Sequence, residues 1–167
     1  MDTDNGGWTT IQRRYDGTVD FHRSWDDYKA GFGNIAGEHW LGNSNLHAIL
    51  RQRSYQARFD VEDFQGIQRM LFTMRYMLVM KVLSNAMVDY AGTPMNGMMF
   101  TTRDRDNDIS NDYCGNSKKS GWWHAGCTYA NLNGGVYTDE FLETSIHWKT
   151  WKETALKGTR IMIKPKP

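Results

Sequence analysis

From Gln56 to Phe64 the chain sets Ala57, Phe59 and Val61 against Arg58, Asp60 and Glu62, the two-residue period of a strand with one face in the core. Gly7 to Arg13 shows similar alternation with β-branched residues, and Asp16-Gly17 marks a turn after it. Trp25 to Ala30 reads as a short helix with Ser24 as its N-cap and Gly31 ending it. Asn43 to Leu50 places Leu46, Ile49 and Leu50 on one helical face, with Ser44 as a candidate cap. Phe72 to Val88 is rich in methionine and β-branched residues and is expected to hold core strands. Beyond Phe100 the pattern dissolves into loops, with short strands expected near His147–Trp151 and Arg160–Ile163. These elements predict one α+β domain over residues 1–167, built on a twisted, mainly antiparallel sheet with long functional loops.

Composition narrows the function more than the fold. The 167 residues suffice for one domain with a sizeable core. A net charge of +1 favours neither nucleic acid nor an anionic membrane. No run approaches the roughly eighteen apolar residues of a membrane span, so no membrane insertion is expected. Seven tryptophans are read mainly as core filler. The polar opening Asp2-Thr3-Asp4-Asn5-Gly6-Gly7 reads as the cut edge of a longer protein rather than as a signal peptide.

The densest chemistry lies between Asp104 and Cys127. Asp104, Asp106, Asp108 and Asp112 are closely spaced carboxylates of the kind a hard cation prefers. An EF-hand loop starting at Asp104 would need glycine and glutamate where Ile109 and Gly115 stand. Asp106-Asn107-Asp108 also fits a short metal-nucleotide motif of glycosyltransferases, but no nucleotide-binding α/β pattern surrounds it. Cys114 and Cys127 could be one bridge or two buried thiols. Their short spacing, with a Gly/Ser/Lys-rich segment between them, favours the bridge and an oxidising compartment. There is no nucleophile elbow, phosphate loop or recognisable catalytic carboxylate pair, so a non-enzymatic role is expected. The histidines show no zinc spacing.

Several longer motifs point one way. Gly6-Gly7-Trp8-Thr9-Thr10, Tyr28-Lys29-Ala30-Gly31-Phe32-Gly33-Asn34, Gly37-Glu38-His39-Trp40-Leu41-Gly42-Asn43 and Glu62-Asp63-Phe64 resemble the fibrinogen C-terminal domain. So do Asn96-Gly97-Met98, Asp104-Arg105-Asp106-Asn107-Asp108, Trp122-Trp123, Asn131-Leu132-Asn133-Gly134, Trp148-Lys149-Thr150-Trp151-Lys152 and the closing Arg160-Ile161-Met162-Ile163-Lys164-Pro165. The resemblance covers nearly the whole chain. It implies a fibrinogen C-terminal-like fold lacking the family's N-terminal subdomain, with calcium and ligand sites within about residues 96–155. Residues 67–95 depart from the family pattern.

The resemblance also implies roles. Counted back from Cys114, the family's calcium carboxylates fall on Asp106 and Asp108, and its backbone carbonyls on Ser110 and Asp112. Acetyl-binding members use backbone N–H groups around a cis peptide at the second cysteine, here Gly126–Cys127. Side chains expected near that pocket are Thr128, Lys118, His124 and Leu142, with Tyr129, Tyr137 and Phe141 as replacement rings. The reading is a secreted, calcium-dependent, lectin-like pattern-recognition domain of the innate-immune type, binding acetylated or anionic glycans on microbial surfaces. The alternative is a protein-binding module of the angiopoietin or fibrinogen type, recognising a receptor or peptide. Either would work as an oligomer in the full-length parent.

Overall fold

A computed structural model describes residues 7–74, 98–127 and 129–166. Most of the expected Phe72–Val88 strand region, the Asn96-Gly97 motif and Thr128 lie outside the described residues. The first strand, β1 (Thr9–Arg14), leads into helix α1 (Trp25–Ala30), then the two-residue strands β2 (Phe32–Gly33) and β3 (His39–Trp40). Helix α2 (Asn43–Leu50) precedes β4 (Tyr55–Asp63) and β5 (Gln68–Met74). After the acidic loop come the one-turn helix α3 (Cys114–Ser117), β6 (Ala130–Asn131), β7 (His147–Trp148) and the long β8 (Lys152–Pro165). The strands run antiparallel in the order β2-β3-β1-β8-β4-β5, with β7 pairing both β6 and β8.

The alternation in β4 is reproduced residue by residue, with Ala57, Phe59 and Val61 buried and the intervening charges half-buried. Helix α1 starts with a reciprocal capping box, in which Ser24 Oγ accepts the Asp27 N–H and Asp27 accepts the Ser24 N–H. It stops at Gly31, whose φ of 96° suits glycine and whose missing Cβ would lie 2.5 Å from the Leu41 carbonyl oxygen. Helix α2 corrects its expected cap. Its N-cap is Gly42 and makes no side-chain hydrogen bond, while Ser44 lies within the first turn. The closing strand also exceeds the expectation. It runs for 14 residues, pairs with β1 on one side and β4 on the other, and forms the centre of the sheet.

An aromatic cluster packs beside this sheet. Phe100 lies 4.9 Å from Trp123, 5.2 Å from Tyr28 and 5.9 Å from Trp40, mixing edge-on, tilted and stacked contacts. Gly121 permits the approach of the tryptophan pair, because a Cβ there would lie 2.4 Å from the Tyr28 ring. Buried polar groups then pin the loops to the sheet. Gln12 Nε2 donates to the Leu132 carbonyl, to Asn133 Oδ1 and to Thr159 Oγ1. Arg14 Nη1 donates to the Gly134 carbonyl at 2.7 Å, and its Nε pairs with Glu38. Glu38 in turn accepts the N–H groups of Tyr15, Asp16, Gly17 and Val19. Burial opposes its charge, but Arg14 and these donors hold its carboxyl below the ordinary range. Asn133 Nδ2 donates to the Gly121 carbonyl and Asn131 Nδ2 to that of Lys118. The Asn131-Leu132-Asn133-Gly134 motif therefore bolts the cysteine-bearing loops to β1.

Candidate functional site: the acidic loop and the disulfide

Within the acidic loop, alternate side chains divide between anchoring and display. Asp104 accepts the Trp25 N–H and the Thr102 hydroxyl, both at 2.8 Å. Asn107 donates to the Phe100 carbonyl while Thr101 Oγ1 accepts its N–H. Asp104 and Asn107 thus tie the loop to its surroundings, while Asp106 and Asp108 turn to backbone N–H groups of the loop itself and of Cys114. Asp108 accepts the N–H groups of Ser110 and Cys114, and Asp106 accepts that of Asp108. Burial, reinforced by Asp106, raises the Asp108 carboxyl above the ordinary carboxylate range.

Among the described residues neither carboxylate forms an ion pair with a cationic side chain. The described residues contain no group of three or more histidine, cysteine or acidic side chains placed to hold a metal. A site completed by backbone oxygens does not need one. Two crowded carboxylates without a protein counter-charge, followed by the carbonyl-bearing Ser110 and Asp112, fit an all-oxygen cation such as calcium.

The acidic loop runs directly into the bridge. Cys114 and Cys127 are joined, with their Cα atoms 5.4 Å apart, so the two-thiol alternative falls. The Gly126–Cys127 peptide is cis, at the bond the family resemblance indicated. Gly126 is exposed, and nothing lies within 4 Å of where its Cβ would be. The Ala125 N–H donates to the Cys127 carbonyl across this turn.

The flanking side chains are arranged differently from the sequence reading. Lys118, expected near the pocket, is paired with Glu143. Lys149 also reaches Glu143, at 3.5 Å, and the two cations hold its carboxyl below the ordinary range, the Lys118 hydrogen bond contributing most. The Lys149 ammonium lies 5.6 Å from the Tyr129 ring centre and 5.5 Å from that of Phe141. Tyr129 and Phe141, two of the three rings proposed as replacements, therefore share one ammonium. Tyr137, the third, is placed elsewhere: it contacts Phe64 and donates to the Tyr15 carbonyl. Leu142 is 37% exposed beside Glu143.

His124 is the main correction, since it is fully buried and cannot line a surface pocket. Its Nε2 faces Ser120, and burial depresses its pKa to about 3. His147 lies behind Phe141 with its Nδ1 against the Ser145 carbonyl, and burial takes its pKa to about 4. Glu143 and Lys149 escaped the sequence reading. The only signal for them was their closeness to the rings at Phe141 and Trp148.

The chain matches over residues 1–166 the family described as fibrinogen beta and gamma chains, C-terminal globular domain. It belongs to the fibrinogen C-terminal family. This fibrinogen C-terminal domain is 36% identical over 99% of its length to fibrinogen C domain-containing protein 1-A of Xenopus laevis, of which it covers 40%. It is 37% identical to angiopoietin-2 of Canis lupus familiaris, covering 99% of the domain and 36% of that relative. The domain thus spans about two fifths of the length of these relatives. Among solved structures, the fibrinogen-like globe domain of human ANGPTL2 aligns with TM-score 0.82 and 34% identity, covering 99% of this chain and 83% of that one. Lamprey fibrin D-dimer, complexed with the peptide ligand Gly-His-Arg-Pro-amide, aligns with TM-score 0.78 and 29% identity, covering 98% and 63%. No described helix is long and apolar enough to cross a membrane.

Proposed function

We propose that this fibrinogen C-terminal domain is a calcium-supported, non-enzymatic module that recognises a protein or peptide through the loops around Cys114–Cys127. The observation that carries the reading is the part-exposed cluster of Tyr129, Phe141, Lys149 and Glu143, which Lys118 ties to the loop between the bridged cysteines. Part-exposed rings beside the Lys118–Glu143–Lys149 charge group suit a peptide presenting an apolar side chain flanked by polar groups. The names of the relatives support the same choice, angiopoietin-2 and fibroleukin among them, as does the peptide complex of the lamprey protein.

The glycan reading, preferred from sequence, loses support. His124 is buried and Lys118 is committed to Glu143, so two of its four expected pocket side chains do not present themselves to an acetylated sugar. What remains for it among the described residues is the backbone at Gly126–Cys127 and the exposed Leu142.

Asp106 and Asp108, with the carbonyls of Ser110 and Asp112, would hold calcium. Once bound, the ion neutralises the two carboxylates. Asp108, through its bond to the Cys114 N–H, then fixes the start of α3 and hence the disulfide. A secreted location accords with the bridge.

The test measures binding of the calcium-loaded domain to a panel of receptor ectodomains and, in parallel, to an acetylated-glycan array. A saturable protein ligand, released by chelator and lost in Tyr129→Ala, is expected. Binding confined to acetylated glycans and displaced by N-acetylglucosamine would overturn the reading in favour of the lectin.

A further inference from the structure

Away from the disulfide, the outer face of the sheet carries a cleft of about 560 Å³ where β1, β8, β4 and β5 lie side by side. Strand register sets one row of it. Arg13 faces Arg160, Arg160 faces Asp60, and Asp60 faces Met70, so four residues cross the sheet at strand spacing, about 4.8 Å apart. The neighbouring row pairs Gly158 with Glu62 and Glu62 with Gln68.

Gly158 makes the depression. With hydrogen in place of a side chain, the sheet between Tyr15 and Glu62 lies bare. A Cβ there would meet only the Arg14 carbonyl oxygen at 3.4 Å and Glu62 Cβ at 3.7 Å, both ordinary contacts.

Charge in the cleft is one-sided. Asp60 accepts from both Arg58, at 2.7 Å, and Arg160, at 3.2 Å, so one carboxylate serves two guanidiniums. Glu62 is already paired from outside with Lys157. Among the described residues neither Arg69 nor Arg13 forms an ion pair, and the Arg13 guanidinium lies 4.7 Å from the Tyr15 ring centre. Arg13 and Arg69 therefore remain as fork-shaped donors matched to carboxylate geometry.

The interleaving of Asp60 and Glu62 disfavours a continuous polyanion, whose closely spaced charges would fall against them. Apolar surface is present as well, with Met70 48% exposed and Tyr15 39% exposed. We propose that this cleft is a further contact surface that receives an acidic segment of a protein partner, its carboxylates spaced by apolar side chains. The cleft shares no residue with the acidic loop or the disulfide, and it does not depend on what those loops bind.

The experiment titrates the isotope-labelled domain with a short peptide of alternating glutamate and leucine, with its glutamine counterpart, and with a heparin oligosaccharide. The glutamate peptide is expected to bind saturably, to move the amide signals of Arg13, Gly158 and Arg160, and to weaken as salt rises. Arg13→Gln and Arg69→Gln should each weaken it by about tenfold, as loss of a charge-assisted bond does. Gly158→Leu should abolish binding by filling the floor while leaving the remaining spectrum folded. Equal binding of the glutamine peptide, indifference to Gly158→Leu, or binding of heparin in place of the peptide would each overturn the proposal. If Gly158→Leu fails to fold, the two arginine variants decide it alone.

Discussion

Asp108 accepts the backbone N–H of Cys114 at 3.1 Å, so the acidic loop and the disulfide are mechanically one unit. An event at the carboxylates is thereby delivered to the start of α3, and through the bridge to Cys127 and its cis peptide.

Asp108→Asn should therefore do two things. Calcium affinity, read by calorimetry, falls on the order of tenfold or more because charge count sets affinity in all-oxygen sites. In the wild type, chelator should shift the amide resonances of Cys114 and Cys127, and in the variant that response should shrink. Unchanged affinity would remove Asp108 from the ligand set.

Stability should depend on pH through His124 and His147. Burial lowers both from 6.5 in the unfolded chain, to about 3 and about 4. The neutral rings are favoured in the fold, so this stability is fully present above pH 6.5. It is lost as pH falls towards 4, at about 1.4 kcal/mol per pH unit for each ring. Urea midpoints at pH 7 and pH 5 should differ by about 4 kcal/mol in unfolding free energy, and replacing either histidine by glutamine should flatten the slope.

Glu38→Gln leaves Arg14 buried without its counter-charge and weakens the acceptor for four backbone N–H groups. A loss of about 3–5 kcal/mol is expected in chemical denaturation. Hydrogen exchange should also quicken at Gly134, whose carbonyl Arg14 holds. A silent variant would mean that the Asn131–Gly134 loop is held by other means.

Gly121→Ala should cost about 1–3 kcal/mol, since its methyl would meet the Tyr28 ring at 2.4 Å. Thermal unfolding measures this, and loss of the near-ultraviolet tryptophan signal should accompany it.

The elements that could be read directly were those with a local cause. The alternation of β4 and the capping box of α1 need only neighbouring residues. Strand β8 was recognised only near Arg160–Ile163, because Lys152 to Gly158 mixes charges and a glycine with no clear period. Its true extent is set by β1 and β4 on either side. Helix α2 misled because a serine near a helix start resembles a cap, whereas backbone geometry placed Gly42 there. At the site, cysteine spacing favoured the bridge, while the choice of Asp106 and Asp108 among the four aspartates came from the family resemblance. The pairing of Lys118 with Glu143, 25 positions apart, was not visible in the sequence, and neither was the depth of His124. Both follow from how Asn131 and Asn133 dock the loops on β1, a tertiary fact without a short-range signal.

The central position of β8 has a consequence for biosynthesis. Of the described strands the ribosome delivers this one last, yet β1 and β4 both need it as a partner. Until Lys152–Pro165 emerges, β1 and β4 wait with open hydrogen-bonding edges, so the sheet can close only once that strand has been made. A nascent domain of this design depends on a chaperone-rich compartment for longer than one whose sheet grows in chain order.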